Sequence, residues 1–367
     1  MCGYFIFEGY SDHYRFFARF VFIPGLFVFV AEIRDTWRHP VFQAMAAYMF
    51  YLLLSGLWSD PLDWYRWGQK FTISIYLLSF IAVTQFLVRW NHSVYERMLQ
   101  LCVLIAAVAA LTSLVVFYRQ HPFPNTRLVG IGSLTNVNEF SVVYGVFALL
   151  AMGFALRTRE LRYKVLFLLA IGVFISFAWF GQSRTAFVSM MIALSALVGL
   201  MLKGKRVLYG AILAAFAVAL ILIFPDSVEQ ALLRGQGLRP QIWAAIWGEV
   251  KSAPIAGHGL ISELSIEASR HSFHNAHSAY LQVLWNGGVI GLGLFLVLLV
   301  VALLNAWSWG CQQGEYTVFC ILLFAACAMV TDLDVLIGRP RDQWMLFWLP
   351  LALLLAYQNT APRSRIH

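Results

Sequence analysis

Three histidines, His271, His274 and His277, fall within HSFHNAHSAYLQVLWNGGVIG (271–291), where a polar stretch gives way to an apolar one. An imidazole titrates near neutral pH and takes a proton from a hydroxyl better than arginine or an unperturbed carboxylate does. On a helix, three-residue steps would fan the rings over about 120°. That is not the i, i+4 spacing of a helical zinc pair, and no cysteine accompanies them, so proton transfer is preferred to metal binding and no metal is expected. His277 stands out by its place in HNAHS, just before the apolar run through GGVIG, with His274 and Asn275 beside it.

The second group is cationic. Arg184 sits in FGQSRTAF, between two apolar runs with almost no slack; Arg234 and Arg239 sit in LLRGQGLRPQIW; Arg127, Arg339 and Arg341 lie in other short connections. The chain holds 21 Arg and 5 Lys. A guanidinium grips phosphate oxygens in a planar fork with a permanent charge. Taken singly, each arginine is explained by snorkelling to a membrane boundary; several on one face point to an anionic ligand. Two patches are weaker. In SLTNVNEF (133–140), Asn136, Asn138 and Glu139 read as helix-capping groups that could also meet sugar hydroxyls, and PIAGHGL (254–260) around His258 reads as a turn. Walker A and Rossmann patterns are absent, and residues 225–277 hold no DxD-like pattern. A substrate that carries its own phosphates and its own activation fits this set, and a polyprenyl-diphosphate-linked sugar is one: its diphosphate needs cationic clamping as it leaves.

These groups must be positioned by membrane helices. The 367 residues are 60% hydrophobic and only 12% charged, against roughly half and a quarter in soluble domains. Apolar runs near the length that crosses about 30 Å of hydrocarbon recur along the chain, and the short alternating segments of a β-barrel do not. The expectation is an all-α polytopic membrane protein with about 11 (10–12) transmembrane helices and one large helical periplasmic loop. Spans are expected near 14–31, 42–58, 70–88, 99–117, 138–156, 163–180, 185–202, 206–224, 278–306, 316–335 and 343–358. This divides the chain into 1–224 (helices 1–8), the loop 225–277, and 278–367 (helices 9–11 and a short cytoplasmic tail). Alternate short connections carry thirteen Lys and Arg against seven, with RTRELRYK (157–164) weighing most, which places the long loop on the outer face. The net charge of +8 resides in those connections, without a basic stripe interleaved with aromatics, so no nucleic acid is expected. The five cysteines lie mostly in apolar runs without CxxC spacing and read as small core residues.

His277-Ser278, nine residues, then Gly288-Val289-Ile290-Gly291 resembles the signature of the O-antigen ligase and polymerase superfamily. SRTAF (183–187), Arg239 with Trp243, PIAGHG (254–259) and GSLTNVNEF (132–140) are similar to that family's other recurring patches, in the same order, over roughly residues 42 to 358. The resemblance implies a glycosyltransferase of the bacterial inner membrane with its active site facing the periplasm. It would move a glycan from undecaprenyl diphosphate to lipid A–core, inverting, without metal, ATP or cofactor. His277 would be the base, and Arg184 and Arg239 the diphosphate clamps. A polymerase of the same superfamily, using a second lipid-linked unit as acceptor, is the nearest alternative. A lipid-linked glycan transporter or flippase is further off, since charged groups at mid-membrane and matched halves are missing. Relatives usually show twelve spans where about eleven are counted here.

Overall fold

The computed structural model describes residues 3–7, 10–123, 126–132, 136–202, 238–268, 271–333 and 335–360. The expected span 206–224 and Arg234 lie outside the described residues.

In chain order the helices are α1 (Gly3–Ile6), α2 (Tyr10–Phe17), α3 (Ile23–Thr36), α4 (Pro40–Ser55), α5 (Trp64–Trp90), α6 (His92–Gln120), α7 (Val137–Arg157), α8 (Leu161–Phe180), α9 (Arg184–Met201), α10 (Arg239–Val250), α11 (Ala279–Gln313), α12 (Thr317–Ala328) and α13 (Leu349–Thr360). A short antiparallel hairpin pairs Ile266–Ala268 with His271–Phe273. The chain is a polytopic α-helical membrane protein. Among the described residues seven helices are long and apolar enough to cross a bilayer, and shorter apolar helices follow at Thr317–Ala328 and Trp344–Asn359. Just before Pro24 a π-helical turn over Ala18–Phe22 joins α2 to α3. The wider turn absorbs the missing proline N–H without ending the helix.

The chain folds as two compact units. The first comprises 1–13, 97–240 and 310–333. Its centre is α7, buried around almost its whole circumference, as an all-round apolar helix must be. Asn136 starts it by accepting from the Asn138 amide at 2.9 Å. Gly145 and Gly153 give α12 its close approach: a Cβ at either would sit 2.4 Å from the Phe324 ring or 2.2 Å from the Thr317 hydroxyl. Tyr144 packs edge-on against Phe177 of α8 at 4.6 Å.

The second unit comprises 14–96, 241–309 and 334–367. Here α5 packs against α3 and α13. Asp63 caps α5 by accepting from the amides of Tyr65 and Arg66 at 2.8 and 3.1 Å, and Pro40 opens α4 at a position where its missing donor costs nothing. In α11 the helix breaks at Gly288 (φ 62°, ψ −162°). The loop 254–259 takes over the broken bonds. Val289 N donates to Pro254 O at 2.9 Å and Ile290 N to Ile255 O at 3.3 Å, while the released carbonyls of Trp285 and Asn286 accept from His258 N (2.9 Å) and Gly259 N (2.8 Å). Tyr51 donates its hydroxyl to Gly287 O at 2.8 Å. A backbone break at membrane depth survives only when its polar groups are re-satisfied in this way. PIAGHG and GGVIG are therefore two halves of one joint.

Candidate active site

The first unit holds a cationic cluster at the ends of its helices. Arg239, the first residue of α10, donates from Nη2 to Asp332 Oδ1 at 2.9 Å. Asn138 Nδ2 reaches the same oxygen at 3.4 Å. Arg127 donates from Nη2 to Asn138 Oδ1 and from Nε to Gly181 O, both at 2.9 Å. One carboxylate and one amide thus tie two guanidinium groups into a single network. Asp332 lies just past the C-terminus of α12, and its side chain is 8% exposed against 30% for Arg239. Burial pushes its carboxyl up to about 6, with Arg239 and Arg127 pulling the other way. The exposed Arg184 begins α9 and so stands at a helix N-terminus, where unpaired amides and the helix dipole favour an anion. Its neighbour Thr185 is hydrogen-bonded to Thr331, beside Asp332.

The second unit holds the histidine. His271–Phe273 form a strand and α11 begins at Ala279, so the three histidines do not fan around one helix. His277 occupies the left-handed region at φ 47°, rare for a residue with a Cβ. The preceding peptide is held at both ends. Trp243 Nε1 donates to Ala276 O at 3.0 Å, and Ala276 N donates to Gln282 Oε1 at 3.0 Å. Gln282 in turn donates to Asn286 Oδ1 at 2.8 Å. Ala276 and Ser278 are buried while His277 is half-buried, with Phe273 edge-on at 6.3 Å. An imidazole on a backbone held this firmly is suited to act as a directed proton acceptor.

Among the described residues, the three non-glycine residues with positive φ are Gln182, His277 and Leu333. Each is a candidate residue or lies within two positions of Arg184 or Asp332. Backbone strain of this kind costs about 1–3 kcal/mol and gathers where geometry matters.

The remaining candidates are less engaged. His274 is exposed, its Nδ1 3.3 Å from Leu264 O. Arg339 stacks over the Tyr14 ring at 5.1 Å, and Arg341 stands 4.0 Å from Asp342. Asn275 lines a cavity of about 720 Å³ in the second unit. Asp332 was missed by sequence reasoning, which ran a span across 316–335 where the helix ends at Ala328. The signal was TDLDVL, two acids at the end of an apolar run. Among the described residues no group of three or more His, Cys, Asp or Glu is placed to hold a metal ion.

Residues 179–296 match the O-antigen ligase family. That segment contains Arg184, Arg239 and His277. The chain is also 29% identical over 362 residues to the O-antigen ligase of Pseudomonas aeruginosa, covering 94% of this chain and 85% of that protein. With one match spanning the site segment and the other nearly the whole length, the chain is similar to O-antigen ligases from end to end.

Proposed function

We propose that this membrane protein is a glycosyltransferase that joins a glycan carried on undecaprenyl diphosphate to lipid A–core at the periplasmic face of the inner membrane. Similarity to O-antigen ligases supports ligase-like transfer. The observation that carries the assignment of roles is the held backbone of His277, a titratable ring within the family segment whose preceding peptide is fixed by Trp243 and Gln282. In this reading His277 takes the proton from an acceptor hydroxyl. The hydroxyl oxygen then bonds to the anomeric carbon from the face opposite the leaving group. The bond from that carbon to the diphosphate oxygen breaks with its electron pair, and undecaprenyl diphosphate departs. Arg184 and Arg239 hold the diphosphate and offset its growing charge; Asp332, Asn138 and Arg127 orient Arg239. No step calls for a metal, ATP or a cofactor, because the sugar–phosphate bond already carries the activation.

The test is reconstitution in proteoliposomes with an undecaprenyl-diphosphate-linked glycan, offering lipid A–core or a second lipid-linked unit in separate tubes. Glycan on lipid A–core supports the ligase. Elongation of the lipid-linked unit alone makes the protein a polymerase instead.

A further inference from the structure

We propose that the cavity of about 720 Å³ in the second unit binds the sugar rings of the acceptor and presents one hydroxyl to His277; this rests on the transferase reading above. Its volume falls in the range of ligand sites.

The two kinds of lining residue select the ligand class. Some are aliphatic, among them Leu52, Leu260 and Ile337. Others bring the amides of Gln69, Asn275, Gln282 and Asn286. A sugar ring has apolar C–H faces and a rim of hydroxyls that both donate and accept, and amides answer both functions. A bare anion would not use the aliphatic groups. The two cations of the lining are already committed: Arg66 pairs with Glu263 and with Asp63, and Lys70 donates to Ile337 O at 3.0 Å. They contribute to a polar site more than they make an anion trap.

Two further observations join the cavity to the base. Asn275 Oδ1 is buried and has no hydrogen-bond partner among the described residues. Leaving such a group unpaired is unfavourable, and a ligand hydroxyl meeting the Asn275 amide would relieve it. Gln282 lines the cavity and also accepts from the Ala276 amide, so the wall that would hold the sugar holds the peptide preceding His277. Binding and proton acceptance share one side chain as their frame.

The experiment uses the full-length protein in nanodiscs with two probes, lipid-free core oligosaccharide and inorganic pyrophosphate, on wild type, Asn275→Ala, Gln69→Leu and His277→Ala. Wild type and His277→Ala are expected to bind the oligosaccharide alike. Asn275→Ala and Gln69→Leu should each bind it about tenfold more weakly, with pyrophosphate binding unchanged. Thermal midpoints report folding, and Gln69→Leu carries the test if Asn275→Ala does not fold. Wild-type oligosaccharide affinity in the folded variants overturns the proposal, as does a loss confined to pyrophosphate, which would make the cavity an anion site. Oligosaccharide binding through these residues without any transfer to lipid A–core would leave the cavity standing and remove the transferase reading. Transfer by both variants at the wild-type acceptor KM would do the reverse.

Discussion

Arg239 and Asp332 form a charge pair at 2.9 Å in which the acid is far more deeply buried than the base. Burial raises the Asp332 carboxyl to about 6, above its ordinary 3.8, so the folded protein holds that proton more tightly than the unfolded chain does. Stability therefore falls as pH rises from about 4 to about 6 and levels off above, a loss of about 3 kcal/mol at about 1.4 kcal/mol per pKa unit. Asp332→Asn removes the dependence. Thermal unfolding between pH 4 and 7 should show the wild-type midpoint dropping relative to the variant across that window; parallel curves would refute the assignment.

The two clamp arginines should separate stability from binding. Arg184 is exposed, so Arg184→Ala should leave the unfolding midpoint nearly unchanged while weakening binding of the lipid diphosphate donor. Arg239→Ala removes the cation beside a buried carboxyl, which then takes up a proton, and should lower the unfolding midpoint as well as donor affinity. Donor titrations and unfolding curves on both variants check the contrast, and unchanged donor affinity in both would rule them out as clamps.

Gly288 is the hinge pin of the α11 joint. A Cβ there would sit 2.2 Å from Ile255 O, in a backbone region essentially reserved for glycine. Gly288→Ala should lower stability by more than about 2 kcal/mol and expose the 251–277 segment to protease. Gly293, whose Cβ position is open, is the control: Gly293→Ala should be neutral or stabilising. Equal behaviour of the two would show that the joint is not needed.

Trp243 acts on the base through the backbone. Trp243→Phe keeps the ring but loses the donor to Ala276 O. Turnover should fall about tenfold with donor affinity retained, since a misoriented base affects only the proton-transfer step. A wild-type rate would show that the bond does not position His277.

The helices were largely legible, because apolar runs of spanning length admit few other folds, and Asn136 marked the start of one as a capping group. His277 was legible as a titratable residue between a polar loop and a glycine-bearing span. The break at Gly288 was not, since hydropathy cannot register that the helix's own hydrogen bonds have been exchanged for those of a loop about thirty residues upstream. The same blindness made PIAGHG look like a simple turn. Asp332 was hidden because its neighbours extend an apolar run past the true end of α12. The network joining Asn138, Arg127, Arg239 and Asp332 spans about two hundred residues of sequence, and side-chain partners at such separations leave no local pattern.

The most direct test is turnover by purified His277→Ala with an undecaprenyl-diphosphate-linked glycan and lipid A–core. Loss of the base should reduce transfer by about 10²–10⁴ while the protein inserts normally and binds donor as the wild type does. Transfer at the wild-type rate by that variant would contradict the account.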